Sequence, residues 1–334
     1  MKIGFGIIGY GYWGPNVVRN LQKLERSRVV AICDGSEKAR RRAAQDNPGV
    51  RLLSDAAELI ASPDVDVVAV ITPVWTHFEL AQAALEAGKH VFVEKPFTST
   101  VGQGQQLIEL AARKRRHIMV DHTFLFTGAV RKIRELLHDG TLGRLFYYDS
   151  TRVNLGLFQH DVNVLWDLAP HDLSIMAHLI GRPPQAVVAT GQHHLNGHAD
   201  VAYLTAYYPD NVIAHINVNW LSPVKVRTTL IGGEKKMVVW NDLEADEKVK
   251  VYDKGVDVGS RQGIYQLLVS YRSGDMWAPR VEPSEALTTE LNYYLDCLER
   301  DEAPHNGGEA GLEVVRMLAA ADQSLCQRGR LIEL

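Results

Sequence analysis

The fold is decided near the start of the chain by residues 3–14, IGFGIIGYGYWG. The apolar run 3–8 predicts a buried strand, and glycines at positions 9, 11 and 14 follow it in the spacing G-x-G-x-x-G. In that spacing the first glycine lets the chain turn tightly out of the strand, and the second lets backbone approach a pyrophosphate. The third lets the following helix pack on the strand. The pattern alone also fits an ordinary glycine-rich turn.

An acidic residue favours the dinucleotide interpretation. Asp34 lies twenty positions after Gly14 and ends the apolar run 29–33, where a carboxylate can hydrogen-bond a ribose 2′-hydroxyl. The helix that begins at the glycine loop directs its N–H groups and positive dipole end at the phosphates. We therefore predict that Gly9, Gly11, Gly14 and Asp34 bind a dinucleotide.

Asp34 also favours NAD over NADP, because a carboxylate repels a 2′-phosphate. Basic residues that could attract a 2′-phosphate follow closely, so NADP remains an alternative cofactor; they are Lys38, Arg40, Arg41 and Arg42. They also fit the solvated face of the next helix, which we consider the better interpretation.

Composition limits the classes of protein to be considered. The chain has 334 residues, 46% of them hydrophobic, which is enough for two domains of ordinary size. A net charge of −4 gives no reason to expect a nucleic-acid partner. Cys33, Cys297 and Cys326 form no C-x-x-C pair, which argues against a disulfide framework or a structural zinc site. Without an apolar run long enough to span a bilayer or act as a secretion signal, we expect a cytoplasmic protein with no membrane partner.

Up to about residue 122, short apolar strands alternate with amphipathic helices. The predicted strands are 3–8, 29–33, 67–71, 90–94 and 118–121, and the helices between them include 13–24, 55–61, 76–87 and 99–114. Nearly all-apolar strands separated by helices are typical of a parallel sheet covered on both faces. We predict a doubly wound α/β Rossmann domain over residues 1–122.

The pattern changes in residues 123–334. Strand-like runs follow one another with turns between them, and the helix 167–180 interrupts the series; the runs are 144–153, 186–192, 201–208, 212–220, 225–231, 236–240 and 248–252. This pattern predicts an α+β domain with an open, mostly antiparallel sheet covered on one face. Two helices, 284–300 and 309–327, end the chain and are expected to pack back on the body. The exposed face of the sheet predicts a homodimer or homotetramer.

Glu94-Lys95-Pro96 follows the predicted strand 90–94. Ligands of open α/β sheets bind outside the carboxyl ends of the strands, so Lys95 is expected to face the cofactor crevice. Pro96 disfavours helical backbone at Lys95. The alternative is a surface lysine in a turn.

Asp167 and His171 lie four residues apart in a predicted helix. Residues at this spacing share a helix face, and a carboxylate there can orient an imidazole and raise its basicity. The pair can therefore act in acid–base chemistry. The alternative is a helix start, with Asp167 as the N-cap and His171 as an ordinary polar residue.

Other polar residues are weaker candidates. Thr72, Pro73 and His77 lie where strand 67–71 ends and the next helix begins, a place where a dinucleotide can be touched, although Thr72 could equally cap the helix. A cluster of three histidines, His193, His194 and His198, lacks the completing ligands of a metal site, so no metal is predicted. His160 and Asp161 are interpreted as loop residues close in sequence to a substrate pocket.

In the order and spacing of these motifs the whole chain resembles the Gfo/Idh/MocA family of oxidoreductases. The resemblance implies a Rossmann domain, a Glu-Lys-Pro motif and a D-x-x-x-H helix that faces the nicotinamide from the second domain. It assigns catalysis to Lys95, Asp167 and His171. It assigns cofactor contacts to Gly9, Gly11, Tyr12, Trp13, Gly14, Asp34, Thr72, Pro73, His77, Glu94 and Lys95.

The resemblance also indicates a substrate class. Segments 152–154, 164–172 and 220–227 are similar to members that oxidise nucleotide-linked sugars at C3, such as UDP-N-acetylhexosamines. It implies substrate contacts from Lys95, Arg152, Asn154, Trp166, His171, Lys225 and Arg227, with Lys225 and Arg227 suited to a diphosphate. Other branches act on free sugars, inositols or keto-sugars. The fold is also known in a regulator that binds dinucleotide without turnover, although the proton-transfer residues disfavour that class.

Overall fold

The computed structural model describes residues 2–156, 159, 161–195, 197–258 and 269–334. The chain forms two compact units. The first comprises residues 1–126 and 284–316, and the second comprises residues 127–283 and 317–334. Within the described residues, none of the helices combines the length and apolar composition needed to cross a membrane.

The first unit is built on a six-stranded parallel sheet. Its strands are β1 (Ile3–Ile8), β2 (Ser27–Cys33), β3 (Arg51–Leu53), β4 (Val67–Val70), β5 (His90–Glu94) and β6 (Ile118–Asp121). Its first five α-helices are α1 (Gly14–Lys23), α2 (Glu37–Asp46), α3 (Ala56–Ile60), α4 (His77–Glu86) and α5 (Val101–Lys114). Short 3₁₀ turns occupy Val74–Thr76 and Thr123–Phe126.

The strand order of this sheet is β3-β2-β1-β4-β5-β6, the order of dinucleotide-binding folds, and it confirms the predicted parallel α/β domain. The order reverses between β1 and β4, where ligands bind in such sheets. All four residues of β4 are buried, as expected for a strand covered on both faces. The three-residue strand β3 was not predicted, because so short a run gives no periodic signal.

The second unit is built on a nine-stranded mixed sheet. Its strands are β7 (Leu145–Leu155), β8 (Ala186–Gln192), β9 (Val201–Tyr207), β10 (Ile213–Asn219), β11 (Leu221–Gly233), β12 (Met237–Asn241), β13 (Val249–Val258), β14 (Val269–Trp277) and β15 (Ile332–Glu333). Its helices include α6 (Gly128–His138) and α7 (Val164–Ile180), with a 3₁₀ turn at Pro209–Asn211.

The strand order is β14-β13-β12-β11-β7-β10-β9-β8-β15, and β7–β10 is a parallel pair in an otherwise antiparallel sheet. This confirms the predicted mostly antiparallel sheet. Helix α7 packs against β7, β9 and β10. On β7, Tyr148 and Ser150 are buried, whereas the alternate residues Tyr147 and Asp149 are half-buried, so helices cover one face and leave the other open.

The last two helices are α8 (Ala286–Arg300) and α9 (Gly308–Cys326). The structure differs here from the predicted domain division, because residues 284–316 belong to the first unit. The Tyr294 hydroxyl donates to the Val91 carbonyl at 2.9 Å, and Arg26 pairs with Asp296 at 2.7 Å. These contacts between residues distant in sequence fix α8 against the parallel sheet.

Candidate active site

The glycine loop has the geometry that its spacing predicts. Gly9 has a φ of +102°, and a Cβ there would lie 2.1 Å from the Ile71 carbonyl oxygen. A Cβ on Gly14 would lie 2.4 Å from the Gly9 carbonyl oxygen. Gly11 has no atom within 4 Å of its Cβ position, so its open side lets another molecule approach the backbone. These features fit a dinucleotide pyrophosphate at the start of α1.

Asp34 ties this loop to the end of β2. Its Oδ2 accepts from the Tyr10 backbone N–H at 2.7 Å, and its Oδ1 accepts from the Ser36 N–H at 2.7 Å. The half-buried carboxylate keeps lone pairs for a further donor, such as a ribose hydroxyl. It therefore both shapes the loop and remains available as the predicted ribose ligand.

The basic residues after Asp34 have partners within the protein. Arg40 donates to the carbonyls of Asp34 and Gly35 at 2.7 and 2.9 Å. Arg41 pairs with Glu37 at 2.6 Å and Arg42 with Asp46 at 3.5 Å, both across one turn of α2. The contacts of Arg41 and Arg42 match the exposed helix face expected from the sequence.

Hydroxyl and imidazole side chains contact the backbone at the point where β4 ends. Thr76 Oγ1 donates to the Pro73 carbonyl at 2.8 Å, so the Thr72 hydroxyl is the donor in the 2.6 Å contact between the two threonines. His77 is fully buried, and its two ring nitrogens lie 2.8 and 2.9 Å from the carbonyl oxygens of Thr72 and Pro96. Burial lowers the His77 pKa. The imidazole therefore lies between the ends of β4 and β5, and its predicted cofactor contact stays a prediction.

The two aromatic residues of the glycine loop differ in their surroundings. Tyr12 is 87% exposed, so its ring is open to a ligand. The Trp13 indole N–H donates to Asp121 Oδ2 at 2.6 Å and so joins the loop to the end of β6.

Lys95 directly follows β5 at the carboxyl edge of the parallel sheet, as predicted. It is half-buried and precedes a cis peptide bond to Pro96. Glu94 pairs in register with Asp121 of β6. Burial and the neighbouring Asp121 raise the pKa of Glu94 well above its usual value.

In the second unit, α7 begins three residues earlier than predicted. The Asn163 side chain caps it by accepting from the N–H groups of Leu165 and Trp166 at 3.0 and 3.2 Å. Asp167 is therefore not the N-cap, and that alternative interpretation is wrong. Asp167 instead lies inside the helix, one turn before His171.

The Asp167 carboxylate is hydrogen-bonded by Trp220, which lies between β10 and β11. Its Oδ2 accepts from the Trp220 indole N–H at 2.9 Å, and Trp220 is 1% exposed. Asp167 and His171 are both half-buried. The indole thus fixes the Asp167 carboxylate one helical turn from His171, and the acid–base pairing of the two residues stays a prediction.

The predicted substrate residues fall into two groups. Arg152 and Trp166 are 4% and 9% exposed. Arg152 pairs with Asp172 at 2.5 Å, and the Trp166 indole donates to Asp322 at 2.6 Å. Both side chains therefore have structural contacts, and a role in substrate binding remains a prediction.

The other predicted substrate residues are more accessible. Lys225 is exposed, and Asn154 and Arg227 are half-buried. Arg227 lies 3.5 Å from Asp242, and burial lowers its pKa. Lys225 is thus the most accessible cation of the set.

Sequence reasoning did not find Asp121 or Glu290, and it included Trp220 only as part of the segment 220–227, not as a partner of Asp167. Asp121 ends a predicted strand at the carboxyl edge of the sheet, which is a usable signal. Glu290 and Trp220 act on residues distant in sequence, and no local pattern indicates them.

Of the three candidate metal histidines, His194 contacts the buried Asp200 at 2.7 Å. Across the described ranges, no group of three or more His, Cys, Asp or Glu side chains is placed to hold a metal ion. His160 lies outside the described residues.

Comparison with known protein families gives a match in each of the two units. Residues 3–122 match the oxidoreductase family with an NAD-binding Rossmann fold, and residues 130–239 match the GFO/IDH/MocA C-terminal domain. The chain belongs to the Gfo/Idh/MocA family. Its Rossmann domain is accordingly an NAD-binding domain of an oxidoreductase family.

Individual Gfo/Idh/MocA relatives differ in substrate. An oxidoreductase of Escherichia coli, YdgJ, is 34% identical over 203 residues, which are 57% of each chain. This chain therefore spans little more than half of that relative's length. A myo-inositol 2-dehydrogenase of Thermotoga maritima is 25% identical over 96% of this chain and 95% of its own.

A solved structure with the same fold is the UDP-N-acetylglucosamine 3-dehydrogenase of Acidithiobacillus ferrooxidans. It superposes with a TM-score of 0.80 over 97% of this chain and 98% of its own, at 22% identity. At that identity the likeness establishes the fold.

Proposed function

We propose that the protein is an NAD-dependent dehydrogenase of a nucleotide-diphospho-sugar, acting on a secondary hydroxyl at C3. The observation that carries the oxidoreductase class is a glycine loop built for a pyrophosphate, tied to an Asp34 carboxylate, in a chain of the Gfo/Idh/MocA family. NAD is favoured over NADP because a carboxylate at the end of β2 would repel a 2′-phosphate.

The dinucleotide-binding residues are proposed to be those assigned by the family resemblance. Gly9, Gly11 and Gly14 admit the pyrophosphate, and Asp34 accepts from the ribose. When bound, NAD supplies the acceptor for the hydride that leaves the carbinol carbon.

His171, one helical turn after Asp167, is proposed to accept the hydroxyl proton as general base. Lys95, as an ammonium, is proposed to stabilise negative charge developing on the oxygen. The two roles could be exchanged, because a neutral lysine can also act as a base.

Two features support a nucleotide-linked sugar. The exposed Lys225 on β11 is suited to a diphosphate, and the structure of similar fold from A. ferrooxidans is a UDP-N-acetylglucosamine 3-dehydrogenase. A free polyol is the second candidate, since the T. maritima relative aligned along nearly the full chain is a myo-inositol 2-dehydrogenase. The reverse reaction, reduction of a keto-sugar, uses the same residues. We further propose that the protein is a cytoplasmic homodimer or homotetramer.

A substrate panel tests this proposal. The protein is incubated with NAD or NADP and with UDP-sugars, dTDP-sugars, free hexoses or myo-inositol, while absorbance of the reduced cofactor is followed. We expect turnover with NAD and a UDP-sugar, and calorimetric binding of UDP alone. Turnover of myo-inositol without detectable UDP binding at millimolar UDP would select the polyol alternative.

His171→Ala is the companion variant. We expect kcat to fall by about 10²–10⁴-fold, the usual contribution of a general base, with NAD affinity retained. Lys225→Ala is the matched variant for the diphosphate, and it should raise KM for the UDP-sugar with little change in kcat. Normal turnover in His171→Ala would remove His171 from the base role. NAD binding without turnover on any sugar would instead favour a non-catalytic regulator.

A further inference from the structure

A buried aspartate lies at the end of the loop between β8 and β9, in the second unit. Asp200 directly precedes β9 and is 0% exposed, and its backbone N–H donates to the Gln192 carbonyl at 3.0 Å. A carboxylate so far from water is destabilising unless hydrogen-bond donors compensate it. Its Oδ2 accepts from the His194 backbone N–H at 2.8 Å, and its Oδ1 lies 2.7 Å from His194 Nδ1. His194 therefore holds the Asp200 side chain in one orientation.

The imidazole of His194 lies between this carboxylate and the solvent. Its side chain is 53% exposed, whereas the Asp200 side chain is enclosed. A neutral imidazole beside a carboxylate carries its proton on the nitrogen that faces the carboxylate, and a charged one has a proton on both nitrogens. His194 Nδ1 can therefore donate to Asp200 in either protonation state of the ring.

The backbone before and at Asp200 holds two parts of the candidate site. The Ala199 carbonyl accepts at 2.9 Å from the N–H of Val164, the first residue of α7. The Asp200 carbonyl accepts from the Trp220 N–H at 2.9 Å. The first N–H groups of a helix have no acceptor within the helix, so the Ala199 carbonyl fixes the point at which α7 begins. Two successive carbonyl groups thus restrain both α7 and Trp220.

Trp220 carries this restraint to Asp167. Its ring is 1% exposed, and its indole N–H, the one donor of that side chain, reaches Asp167 Oδ2 at 2.9 Å. A ring that is packed on all sides, on a residue whose backbone is also hydrogen-bonded, has few other positions available. The direction of the Asp167 carboxylate therefore depends on the backbone at Asp200.

We propose that Asp200 is a positioning residue of the candidate active site, which together with His194 holds Trp220 and, through its indole, the Asp167 carboxylate. This inference rests on the proposed function, in which His171 accepts a proton one helical turn after Asp167. A displacement of about 1 Å in such a site can lower the rate about 10²-fold, so the restraint bears on kcat. It also gives a role to His194, which the sequence presented only as a member of a histidine cluster.

The link from Asp200 to Trp220 is tested without substrate by fluorine NMR. The chain has six tryptophans, so the protein is labelled with fluorotryptophan, and Trp220→Phe identifies the resonance of residue 220 by its loss. Asp200→Ala should move that resonance by more than its linewidth, because the backbone that holds Trp220 is released. Asp210→Ala is the matched control, since it changes an exposed aspartate beyond the other end of β9, and it should leave the resonance in place.

Two further variants keep the NMR test decisive. Asp200→Asn retains an oxygen acceptor for the His194 N–H, and its amide can donate to Nδ1 of the other imidazole tautomer, so the Trp220 resonance should stay near its wild-type position. His194→Ala removes the Nδ1 contact from an exposed position and should move the resonance in the same direction as Asp200→Ala, by a smaller amount. His194→Ala replaces Asp200→Ala in the comparison if circular dichroism shows that Asp200→Ala does not fold.

Kinetics test the consequence for the reaction. With the sugar identified in the substrate panel, Asp200→Ala should lower kcat about tenfold and leave KM for NAD unchanged, because the glycine loop belongs to the first unit. Trp220→Phe keeps an aromatic ring but removes the donor to Asp167, and it should lower kcat by a similar factor. If Asp200 acts through Trp220, the double variant should have nearly the kcat of Trp220→Phe, whereas independent effects would multiply to a loss of about a hundredfold. Asp200→Asn should keep most of the wild-type kcat.

The outcomes separate this inference from the proposed function. A folded Asp200→Ala protein with an unmoved Trp220 resonance would refute the link, whatever the enzyme turns over. A wild-type kcat in Asp200→Ala, or a double variant about a hundredfold below wild type, would refute the path through Trp220 to Asp167. If none of the sugars is turned over, the proposed function fails, and the fluorine spectra still decide whether Asp200 positions Trp220.

Discussion

At the scale of single residues, His122 shows how a buried titratable group connects stability to pH. It directly follows β6, is 1% exposed, and has no hydrogen-bond partner on either ring nitrogen among the described residues. Burial lowers its pKa to about 3, and the nearby positive charge of Lys95 contributes. An unfolded histidine titrates near 6.5. Between these values the unfolded chain binds more protons than the folded protein, so stability falls as the pH falls.

We therefore predict that His122 contributes to acid destabilisation. Its share of the loss between pH 7 and pH 5 should be about 2 kcal/mol, because each pKa unit is about 1.4 kcal/mol. His122→Leu should flatten the dependence of unfolding free energy on pH over this interval, measured by urea denaturation. The exposed His138→Gln is the control and should keep the wild-type slope. A His122→Leu variant with that same slope would contradict the prediction.

At the scale of elements, Arg152 and Asp172 join β7 to α7 by a buried ion pair. The pair spans 2.5 Å, and its side chains are 5% and 4% exposed. Removing one partner of such a pair leaves a charge out of water, which costs far more than losing an exposed pair.

Asp172→Asn should lower the unfolding free energy by about 3 kcal/mol, measured by urea denaturation. The double variant Arg152→Met/Asp172→Leu should recover most of this loss, because neither charge is then left buried. Arg41→Ala, which breaks an exposed pair on α2, should cost about 0.5 kcal/mol or less. If Asp172→Asn lowers the unfolding free energy no more than Arg41→Ala does, the pair between Arg152 and Asp172 adds nothing to stability.

Elements differ in how far the sequence predicts them. The parallel strands β1, β4 and β5 were predicted almost to the residue because strands covered on both faces are continuous apolar runs. Strand β14, with the sequence VSYRSGDMW, has no such run and was not predicted. The start of α7 was missed because Asn163 was not recognised as the capping residue.

The residues of the candidate site also divide into those that the local sequence predicts and those that it does not. Gly9, Asp34 and Lys95 are indicated by local spacing and by the rule that ligands bind at the carboxyl ends of strands. The partners that set their chemistry are not local. Glu290 lies near the end of β6, where Asn306 donates to both Glu290 and the Val120 carbonyl, and Trp220 reaches Asp167 from the end of β10. Such tertiary contacts leave no periodic pattern in the sequence.

At the scale of the whole molecule, the open face of the second unit's sheet bears on assembly. Exposed apolar side chains lie together on adjacent strands, with Tyr207 of β9 paired in register with Ile213 of β10. Tyr207 is 40% exposed, Ile213 42% and Tyr203 43%. Asp149 and His215 lie 3.4 Å apart on the same face, so it carries polar as well as apolar groups. A surface of this composition can pair with itself about a twofold axis, and we propose a second copy of the chain as its partner.

Ile213→Lys should therefore shift the protein from dimer or tetramer to a smaller species, because the interface would have to bury an unpaired charge. Light scattering during size-exclusion chromatography measures the mass, and circular dichroism verifies that the variant is folded. Leu195→Lys, an exposed apolar residue in the loop after β8, is the matched control and should keep the wild-type mass. A wild-type protein that is monomeric at micromolar concentration, or an Ile213→Lys variant of unchanged mass, would exclude this face as the interface. Because a twofold axis applies each substitution to both copies, even one lysine at position 213 should have a large effect.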